Sequence, residues 1–138
     1  MPRYIPIQLK IEIKASASYM VALYWRHRSV VADFAIPDDA FNHLRVSLDK
    51  ADIIRVLDEM PLSTEEDTRN DGFDRDHLAY RMEEARFWNT QSETFKFTHR
   101  DAKHYRFVTG MTCLDVIASS PPLSSVVPAD VGPGRISS

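Results

Sequence analysis

The sequence predicts a single α+β domain, an antiparallel sheet of about five strands with helices packed on one face. Three observations carry this. Ile5, Ile7, Leu9, Ile11 and Ile13 alternate with polar or proline neighbours. Between Pro37 and Gln91 many apolar residues recur at intervals of three and four. Residues that favour strands return between Glu93 and Val116. The order strands, helices, strands suits helices segregated to one face of an antiparallel sheet.

The alternation at the start places its aliphatics on one face of a strand. Pro6 cannot donate to a ladder, which points to an edge strand. Tyr19 to Trp25 and Val30 to Ile36 read as two further strands. Arg26-His27-Arg28-Ser29 between them is short enough for a hairpin. Pro37 with Asp38 and Asp39 resembles a helix start, since proline suits the first helical position and acids suit the positive end of the dipole. Phe41, Leu44 and Leu48 would form its inner stripe. A second helix, capped by Ser47, or the continuation of one longer bent helix would carry Ile53, Ile54, Leu57 and Met60, with Pro61 as a stop. Residues 62–73 read as an acidic loop ending in Asp71-Gly72. A third helix is predicted from about Asp74 to about Gln91, with Leu78, Met82 and Ala85 inward and Phe87 and Trp88 widening the stripe. Glu93 to Thr98 alternates like a strand. Tyr105 to about Val116 supplies another, with Gly110 as a bulge, and His99 to His104 is the loop between them.

At 138 residues, 43% apolar and 27% charged, the chain suits one globular domain. The domain is assigned to residues 1–118. Residues 119–138 are Ser, Pro or Gly at 12 of 20 positions, a composition that reads as a tail, either flexible or docked on the domain. The single cysteine, Cys113, permits no internal disulfide. With no apolar run of membrane-spanning length and no signal-like start, a cytoplasmic location is expected.

Charge is unevenly placed. Residues 38–76 carry a net charge of -7, whereas residues 1–37 carry +3 and residues 77–138 carry +1. The acidic set Glu59, Glu65, Glu66, Asp67, Asp71, Asp74 and Asp76 is the candidate partner surface. Complementary charge speeds encounter and selects partners. Lys96, Arg100, Lys103 and Arg106, with Tyr105 and Phe107 nearby, form the alternative, a nucleic-acid contact in which aromatics stack bases.

Catalytic and metal patterns are weak. Asp67 to Gly72 resembles the start of a calcium loop, but Arg69 and Leu78 occupy positions that need oxygen ligands. His99-Arg100-Asp101 copies three letters of a kinase loop without its companions. The five histidines lack the i, i+4 spacing of a helical zinc site, and Asp74, Asp76 and His77 suit a helix start better than a metal. Glu83 and Glu84 are adjacent and so diverge. Cys113 lies in an apolar run and reads as structural. A pocket formed by Tyr24, His27 and His99, or by Tyr24, Trp25, Phe87 and Trp88, is the remaining route to a ligand site. The expectation is therefore a non-catalytic protein-binding module, in concrete form a small acidic inhibitor or immunity-type protein acting on a basic, nucleic-acid-handling target. No cofactor or metal is expected, a protein partner is, and a homodimer by sheet extension at Ile5 to Ile13 is open.

Overall fold

The computed structural model describes residues 3–58, 72–74 and 76–130. Among them the strands are β1 (Arg3–Pro6), β2 (Met20–Arg26), β3 (Ser29–Ile36), β4 (Asp39–Leu48), β5 (Ala51–Asp58), β6 (Ala79–Glu83), β7 (Lys103–Val108), β8 (Thr112–Ala118) and β9 (Leu123–Pro128). Two short helices, α1 (Arg86–Asn89) and α2 (Glu93–Thr98), lie between β6 and β7, and a 3-10 turn spans Ala15–Ala17. All strand pairs are antiparallel. One sheet has the order β1-β6-β7-β8-β5 and the other β2-β3-β4-β9. The α+β expectation is thereby corrected: the fold is mostly β, and the middle of the chain is strand where helix was expected.

The two sheets share one core. Val30, Ala32, Phe34, Leu44, Val46 and Leu48 from the four-stranded sheet meet Ala79, Tyr105, Phe107, Leu114 and Val116 from the five-stranded sheet. Phe34 and Phe107 touch across the gap, with ring centroids 6.1 Å apart. The outer face of the five-stranded sheet is also covered. Phe87, Ala102, Ile53, Trp88 and Phe95 pack there with Ile117, and Phe73 packs with Tyr4, Tyr80 and Met82.

This double coverage explains the misread centre. A strand buried on both faces loses its alternation and reads as a continuous apolar run. So β5 presents Ile53 and Leu57 to one face and Ile54 to the other, which mimics a helical stripe. β6 is buried at Ala79, Tyr80 and Met82 for the same reason. In β4 the inward set is Leu44, Val46 and Leu48 at a period of two, while Phe41 is 83% exposed. Ser47 lies inside that strand and caps nothing. Pro37-Asp38 forms the β3–β4 turn, with Asp38 at φ 68°. The Asp39 carboxylate accepts from the N–H groups of Phe41 and Asn42 at 3.0 and 3.2 Å. That is the hydrogen bonding of a helix cap used at a strand start, and proline and aspartate serve both.

The converse error falls on Glu93 to Thr98, which is helical. Ser92 Oγ accepts from Phe95 N–H at 3.0 Å, an N-cap. The helix predicted over 74–91 survives only as α1. Between Tyr105 and Val116 the chain makes two strands, and Gly110 sits in their turn. Thr109 Oγ1 accepts there from Thr112 N–H at 3.0 Å.

β1 is an edge strand that ends at Pro6. The apolar alternation continues beyond it without a ladder. Ile7, Leu9, Ile11 and Ile13 pack half-buried on the common core. Ile7 N–H donates to Ala79 O in one sheet and Lys10 N–H to Ser124 Oγ in the other, so this arm spans both sheets. Structure also extends past residue 118, because β9 pairs with β4 from Ser47–Leu123 to Asn42–Pro128. Residues 131–138 of the expected tail, like Met60 and Pro61, lie outside the described residues.

The arm docks on the β7–β8 turn at Gly110. A β-carbon there would lie 2.5 Å from Ser16 O. Gly110→Ala is expected to destabilise the protein by about 1–3 kcal/mol through overpacking. Urea unfolding measures this, and an unchanged midpoint would contradict the docking.

Candidate functional site

The strongest concentration of polar chemistry lies on the covered face of the five-stranded sheet. Register places Tyr80, Arg106, Asp115 and Arg55 in one row across β6, β7, β8 and β5. His104 sits in the next row, opposite Ile117. The Asp115 carboxylate accepts from His104 Nε2 at 2.6 Å, Arg106 Nε at 2.7 Å and Arg55 Nη2 at 2.8 Å. Asp115 and Arg106 are fully buried. Arg106 Nη1 also donates to the Tyr4 hydroxyl at 3.0 Å, and Arg55 stacks over Phe87 at 4.1 Å.

These contacts set the protonation states. Burial alone would push the Asp115 carboxyl up, but the hydrogen bond from His104 and the charge of Arg106 outweigh it and hold it well below the usual carboxylate range. Burial pushes His104 down against the pull of Asp115, so the ring is neutral. Its Nε2 carries the proton toward Asp115, and Nδ1 is a bare acceptor with no hydrogen-bond partner among the described residues. Burial and the nearby Asp115 push the Cys113 thiol up, so it is no nucleophile at neutral pH. Tyr80 is pushed up to about 12, chiefly by burial, and its hydroxyl donates to Asp74 O at 2.6 Å. The cluster ties four strands together and carries no exposed reactive atom.

The cluster was legible only in part. Arg106 and Asp115 are lone charges inside apolar runs, which is the signal of a buried partner. Arg55, Asp115 and His104 were not singled out as a unit because their register lies beyond sequence reading. Arg106, grouped with Lys96, Arg100 and Lys103 as a phosphate contact, is instead bound within this cluster and has no exposed surface. The other three stay near the surface around α2. Lys96 Nζ is 5.8 Å from the Trp88 ring centroid, and Arg100 lies 4.6 Å over Phe97.

Of the acidic set, Glu59, Glu65, Glu66, Asp67 and Asp71 lie outside the described residues. Asp74 Oδ1 accepts from Asp76 N–H at 2.9 Å within a local turn, and Asp76 Oδ1 accepts from Ser16 Oγ at 2.6 Å, which ties that turn to the N-terminal arm. His77 Nε2 lies 3.1 Å from Ile7 O. The aromatic pairs are not brought together. Tyr24 and Trp25 belong to β2, whereas Phe87 and Trp88 cover the far face of the other sheet.

The second notable feature is the edge strand β2. Its exposed apolar side chains are Val21, Tyr24 and Trp25, with Tyr19 just before it; Trp25 is 60% and Tyr19 54% exposed. No charge interrupts Tyr19 to Trp25. The other sheet edges are guarded. β1 carries Arg3 and Pro6, and Gly72 presses on Tyr4 O so closely that a β-carbon would lie 2.1 Å away. β5 carries Asp52 and Arg55. β9 ends in Pro128 and receives the Lys10 amide at Ser124. Lysines, prolines, acids and covering segments are the usual protection of edges. Among the described residues β2 has a bulge at Val21, where its register with β3 shifts, and one charge, Arg26, at its end beside the turn.

The β2–β3 turn shows which β2 groups are free. It has two residues, His27 and Arg28, with His27 at φ 54°. Its closing pair, Arg26–Ser29, is hydrogen-bonded, and bonded pairs alternate along an antiparallel ladder. Leu23 and Trp25 therefore turn their N–H and C=O groups to the open edge. No protein-family model, curated protein or solved structure matches this chain, and its function is read from its own residues.

Proposed function

We propose that this chain is a non-catalytic protein-binding module that pairs with a second copy of itself, strand to strand, along β2. The observation that carries the reading is the aromatic edge of β2, which carries no charge from Tyr19 to Trp25 and, among the described residues, no covering segment. A strand edge offers backbone donors and acceptors in a row, and a second antiparallel strand completes them. Two β2 strands related by a twofold axis bring Tyr24 and Trp25 of each copy to the seam, on its opposite faces, where cross-strand pairs of aromatic with aromatic or aliphatic side chains are favourable. The pairing sets no like charges opposite one another, since Arg26 of one copy lies at the far end from Arg26 of the other. This reading puts the homodimer edge on β2 rather than on Ile5 to Ile13, of which Ile7, Leu9, Ile11 and Ile13 pack on the core.

Light scattering tests this. The expected mass is twice 15.8 kDa. Trp25→Lys is expected to weaken self-association by about 30-fold or more, as loss of a central aromatic anchor does. Because Trp25 is largely exposed, the variant's thermal midpoint should match that of the parent at a protein concentration low enough for both to be monomeric. A parent chain that stays monomeric at about 100 μM, a concentration far above the Kd of an ordinary specific complex, would sink the reading.

A further inference from the structure

A cleft of about 290 Å³ opens where β6 ends and β7 begins, beside the buried cluster. Arg81, Glu83, Trp88, Arg100, Lys103 and His104 line it. We propose that this cleft binds a small phosphorylated ligand carrying a planar ring, of the size of a mononucleotide. The volume lies at the small end of ligand sites, which run to roughly 300–1,000 Å³.

Charge favours an anion. Arg81 and Arg3 hold Glu83 between them, at 3.1 and 3.0 Å. Glu84 lies on the same wall. Against these two carboxylates stand Arg81, Arg100 and Lys103. Among the described residues the Lys103 side chain makes no hydrogen bond or ion pair, and the Arg100 guanidinium lies over the ring of Phe97. Both therefore have donors to offer a phosphate, and Arg100 can do so in the bidentate manner of a guanidinium.

The remaining walls suit a ring. Trp88 gives an apolar aromatic wall. His104 is 2% exposed and lines the cleft beside the Asp115 cluster. The proposal does not depend on β2, which lies on the other sheet.

The chain has two tryptophans, Trp25 and Trp88. In Trp25→Phe the fluorescence therefore reports Trp88 alone. Adenosine monophosphate titrated into this variant is expected to change that fluorescence saturably, and calorimetry on the parent chain should give the same Kd. Arg100→Ala with Lys103→Ala is expected to weaken binding at least about tenfold, with an unchanged melting curve because both side chains are exposed. Adenosine should bind more weakly than its monophosphate, and inorganic phosphate should compete. The proposal is overturned if neither method detects binding of the monophosphate at millimolar concentration. Equal affinity for adenosine, or an unchanged Kd in the double variant, would also overturn it.

Discussion

Asp115→Asn is expected to destabilise the protein by about 3–5 kcal/mol, the usual cost of removing one partner from a buried ion pair. The size follows from what stays behind. Arg106 is fully buried and always charged, and Arg55 reaches the same carboxylate. An amide would accept fewer bonds and cancel no charge. Stabilities of single domains run to about 5–15 kcal/mol, so the loss is a large fraction of the whole. Urea unfolding measures it. Asp115→Leu combined with Arg106→Met should cost less than Asp115→Asn alone, because the pair leaves together. A single-variant loss below about 1 kcal/mol, within the range of an exposed pair, would contradict the central role of this carboxylate.

The same group shapes the acid limb of stability. Its carboxyl is depressed in the folded state. The unfolded chain then binds the proton first, so its contribution is full above about pH 4 and is lost as pH falls below that. His104 is also depressed. Its share is present above about pH 6.5 and fades below it. Stability should therefore fall in two stages on acidification, and Asp115→Asn should weaken the second, to which Asp39, held low by its hydrogen bonds from Asn42 and Phe41, still contributes.

Phe107→Ala is the other large loss, about 3–5 kcal/mol for a fully buried aromatic. Phe107 has no exposed surface and faces Phe34 of the opposite sheet. A double-mutant cycle with Phe34→Ala isolates that contact. The expected coupling is about 0.5–1.5 kcal/mol. Additive losses would mean that the two sheets do not meet through this pair.

What the sequence made legible follows from burial. β2 and β3 were readable because they are rich in residues that suit strands and their turn is short. β4 was hidden by Pro37, Asp38 and Asp39, whose turn chemistry is shared with helix starts. β5 and β6 lost their alternation because both faces of their sheet are covered. α2 was mistaken for a strand because Phe95 and Phe97 alternate, although Phe97 is 67% exposed. Ser92 was the overlooked cap.

The site was less legible than the fold. Arg55 and Asp115 are 60 residues apart in sequence, and only register joins them. Lys103 and Arg106 look alike in sequence, yet one is exposed and the other fully buried. Tyr24 and Trp25 gave the reverse error. They read as core or pocket aromatics, but β2 is at the edge of its sheet, and edge position is a property of topology.

Amide hydrogen exchange along β2, followed against protein concentration, is the most direct test of strand pairing. The account predicts that the Leu23 and Trp25 amides become protected as the mass doubles, while the Ala22 and Tyr24 amides, already bonded to β3, change little. A doubled mass with the Leu23 and Trp25 amides still exchanging freely would contradict it, because the copies would then meet elsewhere.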